Sequence, residues 1–168
     1  MAVALLAAIG ASMLTACSPV RRGVTGMTLD AAGRPTVAVA WCPGKPPNGI
    51  TMWGPDSPAA DDSDRAVTFR GPEPPGTYAE IPLTALPPGW TSDPPTFTIT
   101  PTHEYTVYAG ALGNDYTTMS VHFTLEQLRP QEAARIRAWV GQATPSGDRY
   151  ELLTVPEFKR LVDRDMCR

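Results

Sequence analysis

The side chains of this 168-residue chain with the widest chemical range are two histidines, three cysteines and a loop rich in aspartate. A serine hydrolase needs Ser, His and a carboxylate to converge, commonly around a Gly-x-Ser-x-Gly elbow, and the sequence has no such elbow. His122 lies between Val121 and Phe123, at the opposite parity from both, so it is expected to face solvent; His103 sits in the corner segment Thr102-His103-Glu104. Glu73, Glu80 and Glu104 follow no catalytic pattern. Cys17, Cys42 and Cys167 are scattered among the histidines without the short ligand spacings of a zinc site. Asp56, Asp61, Asp62 and Asp64 offer oxygen ligands suited to Ca²⁺. They lack the spaced pattern and closing Glu of an EF-hand, and read as a solvated acidic loop. No glycine-rich phosphate loop is present. The expectation is a chain with no catalytic residues, no metal and no cofactor. A net charge of -3 with only two Lys, Lys45 and Lys159, excludes a polybasic nucleic-acid binder.

The N-terminus carries a different chemistry. Residues 1–16 contain no charged side chain, and the apolar run Val3 to Ile9 is far short of the roughly 20 residues of a membrane span. It has the length of a secretory h-region. It leads into Leu14-Thr15-Ala16-Cys17, which resembles the lipobox of bacterial lipoproteins. The resemblance implies that residues 1–16 are a signal peptide cleaved between Ala16 and Cys17. Cys17 then carries two or three acyl chains, such as palmitate, two of them on a diacylglyceryl thioether. Two or more chains hold a protein stably on a membrane, at about 0.8 kcal/mol per buried methylene. The implied location is the extracytoplasmic face of a cell membrane, with membrane lipid as partner and residues 17–23 as a tether. Twelve Arg against two Lys, with abundant Ala and Pro, resembles the lipoproteins of high-GC Gram-positive bacteria.

Export would put the two remaining thiols, Cys42 and Cys167, in an oxidising compartment where such pairs usually join. The bridge would close a loop of about 125 residues, for which the chain-entropy model assigns roughly 5 kcal/mol. A pair of buried free thiols is the alternative.

The elements that must position these residues are mostly short strands. Nineteen Pro and 14 Gly break too often for an all-helical chain. Period-two alternation or β-favouring composition marks strands at residues 24–29, 36–41, 49–53, 66–70, 77–81, 96–100, 104–111 and 116–123. In the second, Val37, Val39 and Trp41 share the face expected in the core. Phe97 and Ile99 share a face of the sixth, and Tyr105, Val107 and Ala109 one of the seventh. In the last, Thr117, Met119, Val121 and Phe123 alternate together. Val37 to Trp53 (VAVAWCPGKPPNGITMW) resembles the second and third strands of a fibronectin type III domain. Ile99 to Tyr105 (ITPTHEY) is similar to that family's tyrosine corner. The resemblance implies an immunoglobulin-like β-sandwich over residues 24–123, with Trp41 in its core and Tyr105 bonding to nearby backbone.

Beyond it, residues 124–168 are expected to form a small helical appendage packed on the sandwich. Thr124-Leu125-Glu126-Gln127 has the form of a capping box. Gln131 to Val140 then has a helical rhythm, with Ala133, Ile136 and Val140 on one stripe, and Gly141 is placed to end that helix. Arg149 to Leu153 is a candidate strand. Thr154-Val155-Pro156-Glu157 opens a final helix whose stripe is Phe158, Leu161, Val162 and Met166. The functional expectation is a non-catalytic binding or structural module that engages an extracytoplasmic protein or envelope polymer. The alternatives are a surface-tethered hydrolase or enzyme inhibitor acting through its loops, and a carbohydrate-binding accessory domain using Trp53 and Trp90.

Overall fold

The computed structural model describes residues 19–54, 66–113, 116–128, 134–144 and 147–167. The chain is mainly β. Among the described residues eleven strands form one curled sheet: β1 (Val20–Leu29), β2 (Pro35–Trp41), β3 (Gly49–Trp53), β4 (Val67–Arg70), β5 (Tyr78–Pro82), β6 (Thr91–Asp93), β7 (Tyr105–Gly110), β8 (Tyr116–Met119), β9 (Val121–Phe123), β10 (Ile136–Thr144) and β11 (Gly147–Leu153). One α-helix among the described residues, α1 (Val155–Asp165), follows.

β1 holds the sheet together because it has three partners. One edge pairs antiparallel with β2 from Gly23 to Leu29. The other edge is divided. Its first half runs parallel to β8, and its second half meets β10 at Gly26 and Met27. From β2 the sheet continues to β5. From β8 it continues through β7, β3 and β4 to β6.

The two wings close on a single core. Met27, Val37, Val39, Trp41, Ile81 and Leu83 come from the β1–β2–β5 wing; Ile50, Met52, Phe69, Val107, Val121 and Phe123 come from the other. The odd positions of β2 carry the large side chains of this core, as the alternation predicts. Its even positions, Ala38 and Ala40, are equally buried, but in a second cluster with Ile136, Phe158 and Val162. β2 is therefore covered on both faces. Its outward residues are small because α1 lies over them. Burying Phe158 there contributes about 2–3 kcal/mol. Gly26 marks the closest approach: a Cβ at this position would lie 2.3 Å from Ile136 Cγ2 and 3.0 Å from Phe158 Cε2.

Three sequence expectations are corrected. The helix expected from 131 is a strand from Ile136 onward, and residues 131–133 lie outside the described ones. Ile136 and Ala138 also alternate with Arg137 and Trp139, and the free second half of the β1 edge gives that alternation a ladder. Gly141 ends no helix; it sits inside β10 at φ +130°, where the register with β11 shifts. Residues 124–168 thus contribute a hairpin as well as a helix, and the Thr124–Gln127 capping box closes only a 3₁₀ turn, Leu125–Gln127. Second, residues 96–100 form no strand. Pro94, Pro95 and Pro101 flank them, and Phe97 and Ile99 pack on the core from irregular backbone, Phe97 edge-on to Phe69. Thr91–Asp93 supplies the edge strand instead. Third, residues 116–123 break at Ser120 into β8 and β9. The break changes parity, so Tyr116 and Thr118 are buried before it and Val121 and Phe123 after it, while Thr117 and Met119 lie on the other side.

The break is bridged by hydroxyls. Thr118 Oγ1 donates to the Ala109 carbonyl at 3.0 Å and accepts the Ala109 N–H at 2.9 Å, and it also bonds the buried Thr25 hydroxyl. These contacts satisfy backbone groups of β7 where the β8 ladder has parted from it.

The start of α1 is sensitive to acid. The N–H and hydroxyl of Thr154 both donate to Glu157 Oε2, at 2.8 and 2.7 Å, and these bonds hold the Glu157 carboxyl below the usual carboxylate range. A folded-state value depressed in this way stabilises the fold above the unfolded value of about 4.3, and the contribution is lost as pH falls through the folded value. Glu157→Gln is therefore expected to lower Tm at about pH 6, and the gap is expected to narrow as pH falls toward about 3 and the carboxyl is protonated. Thermal melts of the two proteins across that range check it, and a constant gap refutes it.

Candidate functional site

The outer face of the β8–β7–β3–β4 wing carries a groove of about 540 Å³, within the usual range for a small-ligand site. Alternation builds it. Ile50 and Met52 of β3 and Val107 and Ala109 of β7 point into the core, so Gly49, Thr51 and Trp53, and Thr106, Tyr108 and Gly110, point out. Register then sets neighbours: Thr51 stands opposite Tyr108, and Trp53 opposite Thr106. The Trp53 and Tyr108 rings stack diagonally, with centroids 4.9 Å apart. Arg21 of β1 and Arg70 of β4 line the groove on its two sides, and Thr117 and Ser120 add hydroxyls. Its described lining residues include no Asp or Glu. The arrangement offers a half-buried aromatic surface, several hydroxyls and two guanidinium groups.

Tyr108 and Arg21 were not singled out in the sequence, although the parity that exposes Tyr108 was legible there. Trp90 is not in the groove. Its indole lies on Gly71, where a Cβ would come within 2.2 Å of Cδ2, and it packs against the main core.

A second cluster lies beside β9. His122 Nδ1 is 3.6 Å from Glu104 Oε1 and 3.3 Å from Thr106 Oγ1. A hydroxyl–imidazole–carboxylate relay uses one ring nitrogen for each partner. Here both partners meet Nδ1, so no proton path runs across the ring. Arg137 donates through Nε to the His122 carbonyl at 3.3 Å and lies over the Tyr150 ring at 4.7 Å. Partial burial there draws its pKa below the ordinary arginine value, against the attraction of Tyr150 and Glu104. This cluster ties β9 to β10 and β11. His103 is exposed at the turn before β7.

The remaining positions are structural or outside the described residues. Trp41 is 1% exposed. Tyr105 is buried, and its hydroxyl accepts the Thr100 N–H at 2.9 Å. Cys42 and Cys167 stand at disulfide distance, with Sγ atoms 2.07 Å and Cα atoms 5.4 Å apart. Ala16, Cys17 and the aspartates at 56, 61, 62 and 64 lie outside the described residues. Among the described residues no group of three His, Cys, Asp or Glu could hold a metal ion, and no helix is long and apolar enough to cross a membrane. No protein-family model matches the chain, and neither a curated protein nor a solved structure matches it.

Proposed function

We propose that this protein is a lipid-anchored, extracytoplasmic binding module on an immunoglobulin-like sandwich, which holds a carbohydrate polymer of the cell envelope in the groove of β3, β7 and β8. The observation that carries the ligand class is the Trp53–Tyr108 pair: two aromatic faces beside threonine hydroxyls suit the apolar face and hydroxyl rim of a sugar ring. The sandwich reading is supported by the strand pairing. β1, β2 and β5 adjoin on one side, and β4, β3, β7 and β8–β9 on the other, around a shared core. The Tyr105 hydroxyl meets backbone five residues upstream, as a corner tyrosine does. The anchor reading rests on Leu14-Thr15-Ala16-Cys17.

Two results test these readings. Trp53→Ala is expected to weaken retention on immobilised envelope polysaccharide at least about five-fold, because aromatic stacking against a ligand ring is worth about 1–3 kcal/mol. Trp53 is half-exposed, so Tm should stay close to the parent's; equal retention of both proteins refutes the site. Metabolic labelling with an alkyne fatty acid is expected to mark the wild type and not Cys17→Ser, and labelling that survives the substitution removes the anchor.

A further inference from the structure

We infer that the saccharide is acidic, a sugar bearing a carboxylate or phosphate group, and that Arg21 and Arg70 read the anion; this rests on the carbohydrate reading above. The inference comes from the register of five neighbouring strands. Arg21 of β1 pairs with Thr117 of β8, Thr117 with Gly110 of β7, Gly110 with Gly49 of β3, and Gly49 with Arg70 of β4. Residues directly opposite one another share a face. One transverse row therefore reads Arg–Thr–Gly–Gly–Arg. At about 4.8 Å per strand, the two arginine Cα atoms stand roughly 19 Å apart.

The middle of the row carries no side chain of its own. Gly110 cannot carry one, because a Cβ would lie 2.8 Å from the Tyr116 carbonyl oxygen, and at Gly49 a Cβ would lie 2.9 Å from Leu112 Cδ2. Both glycines are buried, Gly49 under Leu112 and Gly110 under the Tyr116 carbonyl, and the two long cationic side chains stand on either side of that cover. The aromatic pair occupies the next two rows along β3 and β7. Leu112, 46% exposed, borders the glycine end.

Charge decides what this shape can hold. Among the described residues, neither the Arg21 nor the Arg70 guanidinium has an ion-pair or hydrogen-bond partner, whereas Arg34, Arg135 and Arg149 each have a carboxylate. The described lining contributes no carboxylate to offset them. A planar guanidinium presents paired N–H donors that match the two oxygens of a carboxylate or phosphate. The net charge of the chain is -3, so the two cations are a local feature of this face.

The test uses the full chain in non-ionic detergent. It is titrated with polygalacturonate, with a phosphodiester-linked mannan and with neutral dextran, at about 50 mM and about 500 mM NaCl. One acidic glycan is expected to bind at least about ten-fold more tightly than dextran at low salt, and which one binds identifies the anion as carboxylate or phosphate. The preference should vanish at high salt and in the R21A/R70A double variant, while Arg21→Lys with Arg70→Lys keeps part of it by preserving charge without the fork. Equal binding of all three glycans, unchanged in R21A/R70A but lost in W53A, overturns the acidic assignment and leaves the carbohydrate reading standing. Binding of none of the three overturns both. Binding that instead follows phosphatidylglycerol added to the micelle assigns the arginines to lipid and overturns the inference.

Discussion

Reduction of the Cys42–Cys167 pair is expected to lower Tm by about 10–15 °C, equivalent to about 3–5 kcal/mol for a domain of this size. Two effects add. The bridge closes a separation of 125 residues, so its loss returns a large closure entropy to the unfolded chain. It also fastens a short helix. α1 has 11 residues, too few to persist alone, and its docking rests on Phe158 and Val162 over Ala38 and Ala40. Cys42 follows the last residue of β2 and Cys167 lies two residues beyond α1, so the bond pins the helix end beside the strand it covers. After reduction, amide exchange should rise first in α1, while β2, β3 and β7 keep their protection. Thermal melts with and without reductant, alongside thiol counting on the unfolded protein, decide the matter. Two thiols already free in untreated protein, or a Tm that reductant leaves unchanged, would sink the prediction.

Trp41→Ala should cost about 3–5 kcal/mol, a large share of the 5–15 kcal/mol that holds an ordinary domain folded. Trp41 is the largest fully buried side chain and lies in the core shared by the two wings. Its indole Nε1 is buried without a hydrogen-bond partner, a condition that costs about 1–3 kcal/mol. Trp41→Phe removes that donor together with part of the ring, so the two changes oppose one another. The Phe variant is therefore expected to lose less than half of what the Ala variant loses. Urea melts of the three proteins measure both differences. Both variants remove the N–H, so the difference between them reports the packing of the ring that Phe retains, and equal losses would overturn the argument.

Much of the fold could be read locally. The alternation of Val37, Val39 and Trp41 located the inner face of β2, the Gly49–Trp53 strand begins and ends where its composition indicates, and the stripe of Phe158 and Val162 is the buried side of α1. Each depends only on the spacing of apolar residues along a few turns or pleats. The errors share another cause. Ile136 to Val140 satisfies a helical and an extended pattern at once, and the vacant second half of the β1 edge selected the extended one. Ser120 reverses parity because β8 leaves the β7 ladder to run beside β1, and the hydroxyls of Thr25 and Thr118 take over the freed backbone groups.

The groove shows the same division. That Thr51, Trp53, Thr106 and Tyr108 face outward follows from their residues alone, since each alternates with a core side chain. That Arg21 and Arg70, 49 positions apart, end one row across two glycines depends on a parallel pairing of β1 with β8 and on the order β8–β7–β3–β4. Sequence by itself determined which way side chains point, because pleat and helix periods are local. The tertiary structure alone decided which of them meet, because strand order is set by long-range burial and by the backbone hydrogen bonds that each edge has left to make.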